Sequence, residues 1–291
     1  MKQRNRMWKV ILFIVSILII SLTFLFLFQH KLIFFPQKTA ANYKYKFSMD
    51  YGFKEIFFEI DGETIHALLF NSNRKDIQPK ANKKRKKVEN KKGGIKKKLV
   101  IYFHGNAGNL ESWGNVAENF LDLQYDVLIY DYRSYGKSTG SLSQDSLFSD
   151  ARYIYQIIKE NYPEYNEENL VLYGRSIGSA IAALLASENS PGKLILESGY
   201  LSLYELARTY YPWVPAWVIR FPLETQKYLV KVSSPIYLFH GTNDSLIDHH
   251  HSIELHKLTK ERSKLILIPG GQHNDLEYFP EYKINLQQIL Q

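Results

Sequence analysis

Residues 169–186 read NLVLYGRSIGSAIAALLA. An apolar run meets a serine set between two glycines, and a string of small and apolar residues follows. Gly174-Arg175-Ser176-Ile177-Gly178 is a G-x-S-x-G sequence between an expected strand (169–174) and an expected helix (Ile177 to Ser187). A nucleophilic serine needs that setting: it sits on a strained strand-to-helix turn, and the glycines let the two elements approach closely around it. The helix start also aims the Ile177 N–H at negative charge forming beside Ser176. Taken alone, the five residues also fit a serine in an ordinary tight turn; the strand before and the helix after favour the nucleophile.

Working outward, short apolar runs recur at 98–104, 125–131, 193–198, 235–241 and 264–270. Continuous rather than alternating apolar residues suit strands covered on both faces. Helix-length segments separate them: Glu111 to Leu121, Ser146 to Glu160, His249 to Leu258 and Glu281 to Leu290. Strand and helix in alternation specify an open, mostly parallel α/β sheet with right-handed crossovers. Ahead of it, FKEIFFEIDGETIHALLF turns about Asp61-Gly62 as a hairpin. The interval 199–234 is long, aromatic and marked by prolines (YYPWVPAWVIRFP), which suits a small lid after the sixth strand or a patch near a membrane.

A serine hydroxyl needs a base, and the base needs an orienting acid. Asp244 follows the run at 235–241, and His273 follows the last run in a glycine-rich loop. Both therefore lie at the strand ends where open α/β sheets place their sites, the edge that carries Ser176. Glu197, which also ends a strand, is the serious rival for the acid; Asp248 and Asp275 are weaker ones. His104 and His240 end strands before glycine and read as structural or site-wall residues. His249, His250 and His251 point in different directions on a helix, so a solvated helix start is favoured over a metal site. A second oxyanion donor is available from the loop HGNAGN, most plausibly the amide of Asn106. No phosphate-binding G-x-x-x-x-G-K-[ST] loop is present.

The chain has 291 residues, 45% of them hydrophobic and none of them cysteine, so thiolate chemistry and disulfides are excluded and one substantial core is expected. Val10 to Phe28 is uncharged over 19 residues, about the span of a hydrocarbon core as a helix. It is read as a membrane anchor within residues 1–30, in preference to a cleaved signal peptide. Lys2, Arg4, Arg6 and Lys9 crowd its amino-terminal side, which places the short tail in the cytoplasm and residues 31–291 outside. The formal charge of +8 is local: residues 80–98 carry a net +10, leaving about −2 elsewhere. That argues against nucleic acid as a partner. The lysine-rich segment 80–98 reads as a solvated loop insertion, with contact to anionic lipid as its sharper reading.

Together, HGNAGN, DYRSYGKSTG, GRSIGS, LESGYLSL, HGTNDSLID and GQHND resemble the α/β-hydrolase superfamily. More narrowly they are similar to membrane-anchored α/β-hydrolase-domain proteins related to serine aminopeptidases and depalmitoylating acyl-thioesterases. The similarity covers roughly residues 50 to 290. It implies the α/β-hydrolase fold, a nucleophile at Ser176, an acid at Asp244, a base at His273 and oxyanion donors at Asn106 and Ile177. The aromatic interval 199–234, suited to covering an acyl chain, favours an acyl ester or thioester, small-molecule or lipid-like, as substrate, and the triad chemistry requires no metal or organic cofactor. Ser134 stands where relatives often have glycine, and the lysine-rich insertion departs from the compact pattern. A serine peptidase and a non-catalytic tethered binding protein are the alternatives.

Overall fold

The computed structural model describes residues 2–73 and 96–291, so most of the lysine-rich segment 80–98 lies outside the described residues. The sheet has eight strands: β1 (Phe53–Ile60), β2 (Glu63–Phe70), β3 (Lys98–Phe103), β4 (Tyr125–Tyr130), β5 (Leu170–Arg175), β6 (Lys193–Glu197), β7 (Ile236–Gly241) and β8 (Ser263–Ile268). Their spatial order is β8-β7-β6-β5-β3-β4-β2-β1. β1 and β2 form the expected hairpin, with Asp61 (φ 52°) and Gly62 (φ 79°) both left-handed as a tight two-residue turn requires. β2 pairs antiparallel with β4, and every later pairing is parallel. From β3 the chain moves first to β4 on one side and then to β5 on the other. That reversal opens a crevice at the carboxyl ends of β3 and β5, where open α/β sheets bind ligands.

The helices are α1 (Lys2–Ile33), α2 (Leu110–Trp113), α3 (Glu118–Leu121), α4 (Gln144–Asn161), α5 (Gly178–Glu188), α6 (Leu203–Tyr210), α7 (Thr225–Leu229), α8 (His250–Thr259) and α9 (Pro280–Leu290). Each central strand is buried on both faces, and successive residues serve different cores. Leu99, Ile101 and Phe103 of β3 join the layer of α4, α5, α7 and α8, whereas Val100 and Tyr102 join that of α2, α3 and α9. This two-sided cover is why those runs read as continuously apolar.

The helix expected over Glu111 to Leu121 is broken in the structure. A 3₁₀ turn at Gly114–Ala117 separates α2 from α3, and a Cβ on Gly114 would lie 2.2 Å from the Phe47 ring, so the backbone is pressed against that side chain. α4 begins two residues earlier than expected, capped by reciprocal Ser143 and Ser146 bonds of 3.0 and 2.9 Å.

α1 is long and apolar enough to cross a membrane, and it runs to Ile33, beyond the apolar stretch itself. Residues 199–234 divide in two. Val218, Phe221, Leu223 and Leu229 enter the core, while Tyr210, Tyr211, Trp213 and Trp217 stay exposed.

The junction between β5 and α5 leaves no room for a side chain. A Cβ on Gly178 would lie 2.1 Å from the Phe103 carbonyl oxygen, a backbone atom that cannot give way. Gly178→Ala is expected to cost about 3 kcal/mol, lowering the thermal midpoint by roughly 6–12 °C. Calorimetry of the parent and variant checks this; equal midpoints would mean that strand and helix are not held at this spacing.

Candidate active site

β5 ends at Arg175, and Ser176 then adopts φ 52°, a left-handed backbone unusual for serine. The turn is held by bonds at both ends: Ser176 N donates to Glu197 O (2.9 Å), and Ser179 N donates to Ser176 O (2.9 Å). Glycine on either side is a steric necessity, since a Cβ on Gly174 would lie 2.6 Å from Gly178 O.

Asp244 and His273 are delivered by the loops after β7 and β8, two parallel neighbours in register through Gly241 and Ile268. The structure places His273 Nε2 3.1 Å from Ser176 Oγ and His273 Nδ1 2.8 Å from Asp244 Oδ2. The other Asp244 oxygen accepts from the amides of Leu246 (2.9 Å) and Ile247 (2.8 Å). Burial alone would raise the Asp244 carboxyl, but hydrogen bonds from His240 and His273 and from the Ile247 amide overcome it and hold the group well below the usual carboxylate range. Asp244 therefore stays ionised beside the imidazole.

Glu197 is brought to different partners. Its carboxylate pairs with Arg175 Nε at 3.1 Å and accepts from the hydroxyls of Tyr173 and Tyr282, all buried. Asp248 bonds the His250 amide, and Asp275 bonds the Gln272 amide. Neither is brought to His273.

The loop after β3 lies against the serine: a Cβ on Gly105 would be 3.9 Å from Ser176 Cβ. His104 Nδ1 donates to Gly105 O at 2.7 Å, and a trans peptide then turns the Asn106 N–H the opposite way. The next carbonyl, Asn106 O, is occupied by Tyr135 Oη (2.6 Å) and Phe35 N (2.9 Å). Neither the Asn106 nor the Ile177 amide has an acceptor among the described residues. Burial pushes His104 down to about 4, which keeps it neutral in this role. Ser134 has φ 71°, which explains why glycine suits that position.

Two contributors, Arg175 and the Ile33 carbonyl, escaped the sequence reading, and His240, read from the sequence as structural or site-wall, takes a defined role. Arg175, the first variable residue of G-x-S-x-G, donates to His273 O and Asn274 Oδ1 (3.1 Å each) and so holds the histidine loop. His240 Nε2 donates to Ile247 O (2.8 Å) and lies 3.3 Å from Asp244 Oδ2, steadying the acid loop. Ile33 O accepts from Asn106 Nδ2 (2.8 Å), and no local pattern forecasts that contact. His251, expected at a solvated helix start, is instead buried, because α8 turns that one histidine inward. Among the described residues no His, Asp or Glu cluster could hold a metal ion.

A cavity of about 400 Å³ opens on Ser176, walled by the end of α1, by α6 and by Leu246 and Ile247. None of its lining residues is charged. A second cavity of about 700 Å³ has Arg175, Glu118, Glu277 and Lys283 in its walls.

The family model for the alpha/beta hydrolase fold matches residues 98–226. The chain is similar to the uncharacterised protein YfhR of Escherichia coli, 33% identical over 180 residues that cover 60% of this chain and 63% of YfhR. It is also similar to alpha/beta hydrolase domain-containing protein 17C of Xenopus tropicalis, 28% identical over 205 residues, 66% of this chain and 61% of that protein. The chain thus spans less than two thirds of the length of these curated relatives. The solved esterase Pf2001 of Pyrococcus furiosus shares the fold, with a TM-score of 0.64 at 20% identity over 89% of this chain and 96% of the esterase.

The Arg175–Glu197 pair supplies a test of the site's scaffold. Removing one partner of a buried pair strands the other, so Arg175→Met is expected to cost about 3–5 kcal/mol in urea unfolding. Adding Glu197→Gln should recover part of the loss. Additive losses would mean that the pair is not coupled.

Proposed function

Since the chain belongs to the α/β-hydrolase superfamily, we propose that it is a membrane-anchored serine hydrolase cleaving an acyl ester or thioester through Ser176, His273 and Asp244. The observation that carries this reading is the unbroken hydrogen-bond chain from Ser176 Oγ through the His273 ring to Asp244 Oδ2. His273 Nε2 takes the hydroxyl proton as Oγ bonds to the acyl carbon. Asp244 holds the ring through Nδ1–H and stabilises its cation. The amides of Asn106 and Ile177 receive the oxyanion. As the tetrahedral intermediate collapses, the bond to the leaving oxygen or sulfur breaks and that atom takes the proton from His273. Water repeats the cycle on the acyl-enzyme and frees the acid. None of these steps calls for a metal or an organic cofactor.

The uncharged wall of the cavity at Ser176 supports an apolar acyl group over the charged amino terminus that an aminopeptidase would bind. The basic residues before α1 support a cytoplasmic tail with the hydrolase domain on the outer side.

The test uses the full-length chain in detergent with a fluorophosphonate probe. The parent is expected to label covalently and Ser176→Ala to lose all labelling, with ester hydrolysis down by about four orders of magnitude or more. Asp244→Asn should keep a folded protein yet turn over about 10⁴-fold more slowly. A folded parent that does not label would overturn the reading and leave a tethered binding protein in its place.

A further inference from the structure

The cavity at Ser176 is partly built by the apolar N-terminal helix. Leu32 and Ile33 of its last turn, and Phe35 just beyond, form one wall, facing Leu206 and Ala207 of α6. This wall is fixed in place by bonds to two separate parts of the hydrolase domain. Asn106 Nδ2 donates to Ile33 O, Phe35 N donates to Asn106 O, and Phe35–Pro36 pairs as a short parallel strand with Ala107–Gly108. One turn earlier, Gln29 Nε2 donates to Val218 O (2.8 Å) and Gln29 Oε1 accepts from Arg220 N (2.8 Å). Gln29 is 3% exposed on a helix whose apolar residues are otherwise largely bare, so its amide is committed to this joint.

The depth of the cavity mouth follows from its neighbours. The Arg220 guanidinium lies 5.4 Å from the Phe26 ring, which marks where charge meets the apolar stretch of α1. Tyr211, Trp213 and Trp217, each more than half exposed, project from the same segment that Gln29 holds beside the helix. Tryptophan and tyrosine gather at the membrane–water boundary. Leu32 and Phe35 lie just past that boundary and are themselves more than half exposed.

Three segments contribute residues to each of the two cavities. Phe35, Asn106 and Ser176 face the apolar one, while Gln37, Ala107 and Arg175 face the polar one. The reacting serine lines the uncharged compartment, and its chain neighbour Arg175 lines the charged one.

We propose that the last turn of α1 is a wall of the acyl site and that the substrate is a bilayer-resident amphiphile. Its long acyl chain enters from the membrane along α1. The proposal rests on the reading of Ser176 as nucleophile and α1 as anchor.

The experiment uses the full chain in phosphatidylcholine vesicles with dodecanoyl and butyryl thioesters. Leu32→Trp and Ala207→Trp fill the cavity from opposite walls. Each is expected to lower kcat/KM for the dodecanoyl substrate about ten-fold or more and to lower the dodecanoyl-to-butyryl ratio. If Leu32→Trp impairs folding, Phe35→Ala serves instead and should shift the preference toward longer chains. An unchanged dodecanoyl-to-butyryl ratio in the α1 variants, with Ala207→Trp effective, overturns the role of the helix. Dodecanoyl thioester in the enzyme's own vesicles should be consumed faster than the same substrate in separate vesicles; equal rates overturn membrane entry. A parent that neither labels with fluorophosphonate nor cleaves butyryl thioester marks failure of the hydrolase reading itself, and the proposal falls with it.

Discussion

The turn at Ser176 constrains everything around it. A strand and a helix meet there at backbone contact, with Gly178 against the Phe103 carbonyl and Gly174 against Gly178, and the residue between them is forced into a left-handed conformation. Such strain persists only where the surroundings over-determine it. Here β6 does so by offering the Glu197 carbonyl to the Ser176 amide, and the helix does so from the other side. Because neighbouring parallel strands end at one edge, the groups after β3, β7 and β8 arrive at the same place without long excursions.

Two of the buried carboxylates near this edge, Asp244 and Glu197, divide the work through their different partners. Asp244 receives two amides and two histidine rings, which keep it charged in a half-dry setting. Glu197 is bound up with Arg175 and two tyrosines. Its value lies in holding Arg175, whose guanidinium fastens the carbonyl of His273. One acid thus orients the imidazole through its ring and the other steadies it through its backbone. The Trp113 ring, 5.2 Å from the same guanidinium, completes the packing around it.

Much of this was legible before any coordinates, because the signals are local. Apolar runs of strand length, a two-residue Asp61-Gly62 turn and G-x-S-x-G at a strand end each carry their geometry within a few residues. The choice of Asp244 over Glu197 was open in the sequence, since both end strands; what separates them is which partners cross the sheet edge. The break at Gly114 depends on Phe47, far away in sequence, and the inward turn of His251 depends on helical phase to within one residue. The contact between Ile33 and Asn106 has no sequence signature at all, for a carbonyl oxygen leaves none. Residues 74–95 lie outside the described structure, so the lysine-rich segment rests on its composition.

Between the end of α1 at Ile33 and the buried ring of Phe34, stacked edge-on to Phe221 at 5.0 Å, there is no slack in the chain. Most tethered domains hang on a flexible leash and sample every orientation. Here helix and domain form a rigid lever, with Gln29 and Asn106 as its two bolts. With that joint intact, a tilt of the helix axis would carry the serine with it, and the distance of the site from the apolar stretch of α1 follows from the helix itself rather than from a linker.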